Sequence, residues 1–214
     1  MKKPRPPHYY LYDWLAPLYD LGVRLAAIPF GGEARLRART LDEADVRGGQ
    51  KVLEIFSGTA TLSLMAARRG ACVFALDVSE GMLKAAREKA GDERLGIGLV
   101  RGDAAELPFA GGSFDRVMAS MGLHEARPEA LRGILFEAGR VLKSGGKLSI
   151  LDFHRAEGPA GFLQSLVFTF FEGEPARAWV RTDIQSLLSS LGFRDFRRVF
   201  LASRSLQLVT ARRA

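Results

Sequence analysis

The 214-residue chain carries a net charge of +7, with 47% hydrophobic and 26% charged residues, a mixture too apolar for disorder and too charged for a membrane-embedded bundle. A chain of this length buries roughly 70% of its unfolded surface and folds without staples, and one cysteine with three histidines provides neither an internal disulfide nor a zinc ligand set. The basic balance permits contact with polyanions without choosing between nucleic acid and an anionic membrane.

From the N-terminus, residues 9 to 39 read as one or two helices broken at Pro17, Pro29 and Gly31-Gly32. Asp13, Asp20 and Arg24 interrupt every window long enough for a signal-peptide core, and the longest nearly uncharged run, Gly161 to Phe171, falls far short of the ~20 residues that span a bilayer. The expected location is therefore cytoplasmic. Short apolar runs then alternate with helical patterns: Lys51 to Phe56, Ala71 to Leu76, Gly96 to Val100, Phe114 to Ser120 and Lys147 to Phe153 read as strands, the signature of a parallel sheet wound through crossover helices. Ser79 caps a helix over Met82 to Ala90 that Gly91 is expected to end, and Pro128 opens another that runs to Leu142. Ser144-Gly145-Gly146 is expected to turn the chain into the fifth strand.

After Phe153 comes an apolar, phenylalanine-rich stretch over 157 to 175, including Phe162, Phe168 and Phe171. Thr182 with Gln185 three residues later predicts a capping box, and Gly192 a helix end. Phe196 to Leu201 and Ser205 to Thr210, joined by Ala202-Ser203-Arg204, predict an antiparallel hairpin. The expectation is one α/β domain with seven strands, five of them parallel. Within it, 1–48 precedes the core, 49–153 forms it, 154–181 is an apolar insertion and 182–214 carries a helix and the closing hairpin.

Ligands in an open α/β sheet bind outside the carboxyl ends of the strands. The first strand ends in Glu54-Ile55-Phe56-Ser57-Gly58-Thr59-Ala60, where Gly58 admits a ligand close to the backbone. Asp77 lies 19 residues beyond Gly58, the distance at which an acidic residue meets a ribose held over the first loop. Asp103, in Gly102-Asp103-Ala104, can accept from an exocyclic amine while the next backbone amide meets a ring nitrogen, an adenine contact. The G-x-G-x-x-G loop that seats a pyrophosphate is replaced by Phe56, Gly58 and Ala60, so a cofactor with adenosine but no phosphate fits best.

These residues resemble the class I methyltransferases that use S-adenosyl-L-methionine. Val52 to Ala60 is similar to the family's first motif, Ala75-Leu76-Asp77-Val78-Ser79 to its ribose motif and Gly102-Asp103-Ala104 to its adenine motif. Leu107-Pro108-Phe109, Ser113-Phe114-Asp115 and Arg140 to Gly146 extend the match, and Tyr12 to Asp20 is similar to the opening of the ubiquinone/menaquinone C-methyltransferases and related phospholipid N-methyltransferases. The resemblance implies a Rossmann-like sheet with helices on both faces and an N-terminal helical lid over 1–48. It also implies that Tyr19, Glu54, Phe56, Ser57, Gly58, Asp77, Val78, Met82, Asp103, Ala104, Ser120 and Met121 border the cofactor, with no metal. Two positions depart from the family, which places glycine where this chain has Phe56 and Ala60. Strand alternation puts the Phe56 ring on the side of Glu54, where it either turns into the core or lines the trough of the methionine tail.

The resemblance implies in-line displacement on an activated methyl, which needs orientation more than acid or base. A base is required only where the acceptor loses a proton. His124 in Ser120-Met121-Gly122-Leu123-His124-Glu125 is the candidate catalytic group, with His154 a poorer one. The aromatic N-terminus and the apolar insertion imply a small lipophilic acceptor such as a quinone, phenol or amine-bearing lipid. Basic residues at both ends, among them Lys2, Lys3, Arg5, Arg194, Arg197, Arg198, Arg204, Arg212 and Arg213, allow peripheral contact with the anionic inner face of a membrane, and the apolar run allows a homodimer. A noncatalytic binding protein on this fold and a nucleic-acid or protein methyltransferase remain as alternatives. The second lacks the Asn/Asp-Pro-Pro-aromatic motif used on base amines, so a nucleic-acid partner is not favoured.

Overall fold

The computed structural model describes Asp20, residues 32–158, Gly161, Gln164, Phe168 and residues 173–214. In chain order the elements are α1 (Glu33–Glu43), β1 (Lys51–Ile55), α2 (Thr61–Arg68), β2 (Cys72–Asp77), α3 (Glu80–Asp92), β3 (Gly98–Arg101), β4 (Phe114–Ser120), a 3-10 turn (Leu123–Glu125), α4 (Pro128–Val141), β5 (Leu142–Phe153), α5 (Gly173–Arg181), α6 (Ile184–Ser190), β6 (Phe193–Leu201) and β7 (Leu206–Arg213). The seven strands form one sheet in the order β3-β2-β1-β4-β5-β7-β6. The first five run parallel, while β7 is antiparallel to both β5 and β6. Chain progression reverses between β1 and β4, which opens a crevice at the carboxyl edge there.

Side-chain alternation along β1 sorts the core into two layers. Val52, with Met118 of β4, packs among Leu41, Leu62, Ala66 and Val73 beneath α1 and α2. Leu53 and Ile55 face the other way, among Val117, Leu135, Ile150, Leu188 and Phe193 beneath α4 and α6. Most of the segment expected as a lid lies outside the described residues; its described end, α1, contributes Leu41 to the first layer.

Three terminators differ from their sequence expectation. Helix α3 runs through Gly91 to Asp92, and Arg94 takes the left-handed turn (φ 54°). The amides of Leu95 and Arg94 bond the carbonyls of Ala90 and Gly91 at 3.0 and 3.1 Å, so these return bonds hold an arginine where glycine is usual. Asp183, rather than Thr182, caps α6: its carboxylate accepts from the Ser186 amide and hydroxyl at 3.2 and 2.6 Å. The Thr182 hydroxyl donates backward to the Ala178 carbonyl at 3.0 Å, which occupies it at the end of α5. Ser144-Gly145-Gly146 lies inside β5 as a bulge: Leu142 opposes Phe114 but Lys147 already opposes Arg116, and Gly145 supplies the positive φ of 72°. The hairpin forms as expected, with Ala202, Ser203 and Arg204 all left-handed.

Candidate active site

The carboxyl ends of β1, β2 and β3 are tied together through Asp77. Its Oδ2 accepts from the Gly58 amide at 2.7 Å and its Oδ1 from the Ser79 amide at 2.9 Å, while the Gly102 amide bonds the Asp77 carbonyl at 3.0 Å. The Ser57 amide bonds Leu76 at 3.1 Å. A carboxylate has about four lone-pair directions, and two backbone amides orient that of Asp77 at the strand ends. Asp103 is exposed, and one oxygen accepts from the Ala105 amide at 2.9 Å, an Asx turn that fixes its direction; Ala104 beside it is buried. Val78 is half-buried between Asp77 and Ser79. The Ser79 hydroxyl caps α3 by accepting from the Met82 amide at 3.1 Å, with the Met82 side chain buried.

Glu54 is buried and accepts from the Ser63 amide and hydroxyl at 2.9 and 2.5 Å. Burial pushes its carboxyl up to about 7 from the ordinary 4.5, against the pull of the Ser63 donors. The expectation that Phe56 shares the side of Glu54 fails. Phe56 has a left-handed φ of 56°, which ends the strand and swings the half-buried ring into the layer that holds Leu53 and Ile55. There it lies on Gly122: a Cβ at that glycine would stand 2.3 Å from the Phe56 Cβ and 2.7 Å from its Cγ. The phenylalanine is thus accommodated by a glycine in the loop after β4. Ala60, the other departure from glycine, is also left-handed (φ 58°), as is Met121 (φ 55°). Three non-glycine residues in this costly region line the carboxyl edge between β1 and β4, where strain concentrates at functional sites.

On the other side of the crevice, Ser120 is buried at the end of β4 and the Met121 amide bonds Leu151 at 2.8 Å. His124 is buried in the 3-10 turn, and its Nδ1 lies 2.7 Å from Oδ1 of Asp152, which is 0% exposed at the end of β5. The sequence reading missed Asp152; an acid in Leu151-Asp152-Phe153, at the carboxyl end of a central strand, was the available signal. His154 instead bonds the Arg204 carbonyl at 2.9 Å and packs on Phe200, which turns it toward the hairpin. Tyr19, Phe162 and Phe171 lie outside the described residues. Asp20, next to Tyr19 in sequence, accepts from Thr59 at 2.6 Å and from Lys89 at 2.8 Å, which ties that residue to the loop after β1 and to α3. Among the terminal arginines, Arg212 and Arg213 bond the carbonyls of Gly145 and Leu191, and Arg204 lies 4.3 Å over the Phe200 ring.

Residues 52–146 match the family model of the methyltransferase domain. Over 207 residues the chain is 36% identical to an uncharacterized methyltransferase of Synechocystis sp., covering 95% of this chain and 93% of that protein. The chain belongs to the class I S-adenosylmethionine-dependent methyltransferases. It is also 40% identical over 144 residues to a demethylmenaquinone methyltransferase of Thermobifida fusca, a match spanning 67% of this chain and 59% of that relative. A SAM dependent methyltransferase from Aquifex aeolicus shares the fold with a TM-score of 0.64 at 22% identity, covering 82% of this chain and 88% of that one.

The residues of this methyltransferase fit its cofactor, S-adenosylmethionine. On the first loop the Ser57 hydroxyl is buried without a protein partner, an orphan that a polar ligand would satisfy. Gly58 beside it takes φ 51°, and the Phe56 ring points to Gly122 instead of toward Glu54. Ser57 and Gly58 would border the amino-acid end, Asp77 the ribose, and Asp103 with Ala104 the adenine. No cluster of metal-ligating side chains occurs among the described residues, and no described helix is long and apolar enough to cross a membrane.

Proposed function

We propose that this methyltransferase acts on a small lipophilic ring acceptor of the quinone or phenol type. The reading is carried by the likeness to demethylmenaquinone methyltransferases; a cavity of about 170 Å³ lies between the turn that bears His124 and helices α4 to α6, lined by Leu123, Leu131, Arg132, Trp179, Thr182 and Leu187 among others. This volume suits one ring or a short stretch of aliphatic tail, below the ~300 Å³ of a site that encloses a drug-sized molecule. The demethylmenaquinone methyltransferase of Thermobifida fusca supports the same acceptor class.

When bound, S-adenosylmethionine supplies a methyl already activated on a sulfonium. The protein's share is to orient and to exclude water, and orientation alone is worth roughly 7 to 11 kcal/mol. Asp77 and Asp103 fix the nucleoside, the loops at 57–58 and 120–122 form the two walls of the crevice, and His124 takes the proton of a hydroxyl acceptor. The test is to incubate the protein with S-adenosylmethionine and either an alkylated naphthohydroquinone or an ethanolamine lipid, with products read by mass. Methylation of the ring acceptor alone is expected; methylation of the amine alone would contradict the reading.

A further inference from the structure

Lys89, near the end of α3, points all of its N–H donors at protein groups. Its Nζ donates to Oδ2 of Asp20 at 2.8 Å, to the Thr59 hydroxyl at 3.1 Å and to the Thr61 hydroxyl at 2.6 Å. The Thr59 hydroxyl in turn donates to Oδ1 of Asp20 at 2.6 Å, so carboxylate, hydroxyl and ammonium close a ring of hydrogen bonds. An ammonium has three donors and no acceptor, and the shortest of its contacts here goes to a neutral hydroxyl instead of the carboxylate. The Lys89 and Asp20 side chains are 28% and 30% exposed. An ion pair open to water holds little in place by itself; the pair of threonines is what fixes the ammonium.

Those threonines flank Ala60. Where the chain passes from the loop after β1 into α2, Ala60 is left-handed, with φ 58° and ψ 27°, a conformation that a residue with a Cβ resists. Such a residue persists only where its surroundings over-determine it. The backbone supplies part of that support: the Ala60 amide bonds the Ser57 carbonyl at 2.8 Å, and the Ala60 carbonyl accepts from the Leu64 amide at 2.9 Å. Helix α3 supplies the rest. Ala86 packs with Ala75 around Ala60, and Lys89, one turn further along the same helix face, bonds the residues on either side of Ala60.

We propose that Lys89 is a positioning residue for S-adenosylmethionine binding, holding the loop over 57–60 in its left-handed form. The inference rests on the assignment of this loop to the cofactor. Without the ammonium, the Thr59 and Thr61 hydroxyls turn to water and Ala60 relaxes toward right-handed backbone, which carries Ser57 and Gly58 away from the end of β2. A ligand that needs the left-handed loop then binds in proportion to the fraction of molecules that keep it. Glycine takes the same conformation at no steric cost, so Lys89 performs from α3 what a glycine at position 60 would perform within the loop.

The test combines calorimetry and amide hydrogen exchange on wild type, Lys89→Met, Ala60→Gly and the double variant. Lys89→Met should lose about tenfold in S-adenosylmethionine affinity, the reciprocal of the fraction of loop left in the binding form. In the same variant without ligand, the amides of Ala60 and Leu64 should exchange faster while that of Met82, bonded to Ser79, does not. With Ala60→Gly already present, the lysine change should cost less than about twofold, a coupling that independent sites would not show. Affinity within about twofold of wild type in Lys89→Met, unaltered exchange at Ala60, or a loss that persists with Ala60→Gly overturns the proposal; the last outcome leaves Lys89 acting through Asp20 or through overall stability. In wild type, added S-adenosylmethionine should slow exchange at Gly58 and Ala60. Binding without that protection overturns the loop assignment itself, and the proposal with it. If Lys89→Met does not fold, Thr61→Val, which removes one acceptor beside Ala60 and keeps its shape, should weaken binding in a way that Ala60→Gly restores, and unchanged binding overturns the proposal.

Discussion

The two walls of the crevice are built on different principles. The cofactor side, from β1 to β3, relies on backbone: amides of Gly58, Ser79 and Gly102 converge on Asp77, and Phe56 and Ala60 hold left-handed turns without glycine. The other side, at β4 and β5, relies on one buried side-chain pair, His124 and Asp152, whose carboxylate also accepts from the Leu123 and His124 amides of the turn. The walls meet where the Phe56 ring enters the space left by Gly122. One wall is shaped by left-handed backbone turns, the other by a buried ionisable pair.

The contact between the walls gives the largest expected effect. Gly122→Ala drives a methyl into the Phe56 Cβ and Cγ, atoms too near the backbone to swing aside, and should cost about 3 kcal/mol or more, at the upper end for overpacking. Phe56→Gly in the same chain should recover most of it, and chemical denaturation of both single variants and the double variant measures the coupling. Additive losses would show that the walls do not interlock.

Asp77→Ala probes the cofactor wall. It removes ligand contacts worth roughly 1.5 to 3 kcal/mol each, so an affinity loss near 100-fold is expected by calorimetry. Because Asp77 also orients Gly58 and Ser79, faster hydrogen exchange should accompany the loss at those two amides and not at Leu123 or Phe153. Exchange that quickens across both walls would mean that Asp77 holds the whole edge.

Glu54 gives a pH signature. Its carboxyl is raised in the folded protein from 4.5 to about 7, so the folded state keeps a proton that the unfolded state has released. This contribution is full below pH 4.5 and is lost as pH rises toward 7. Glu54→Gln, which keeps an acceptor for Ser63, should remove that slope and gain on the order of 2 kcal/mol over wild type at pH 8. Parallel stability curves for the two proteins would contradict it. The smallest effect is expected for Ala60→Gly. Relief of a left-handed alanine, about 1 kcal/mol, nearly cancels the lost burial of its methyl against Ala75 and Ala86, and melting should show a net change within about 1 kcal/mol.

Sheet class, strand number and the Gly58 and Asp77 positions were legible because period and spacing carry them. The caps were less so: Thr182 and Asp183 are both good N-caps, and only the backward bond of Thr182 to Ala178 decides between them. Gly91 looked like a terminator because composition cannot show that Arg94 will take the left-handed turn. The side on which Phe56 lies could not be read from alternation, since alternation ends where φ turns positive. Asp152 escaped notice because its role is created by His124, a partner distant in sequence that only the β4–β5 pairing brings near.

The central claim is that the loops at the ends of β1, β2 and β3 hold S-adenosylmethionine. Calorimetric titration of the wild-type protein tests it most directly. The account predicts saturable binding of one equivalent with an affinity well tighter than ~1 mM, the equivalent of about 4 kcal/mol. No detectable binding at that concentration by the folded protein would contradict it.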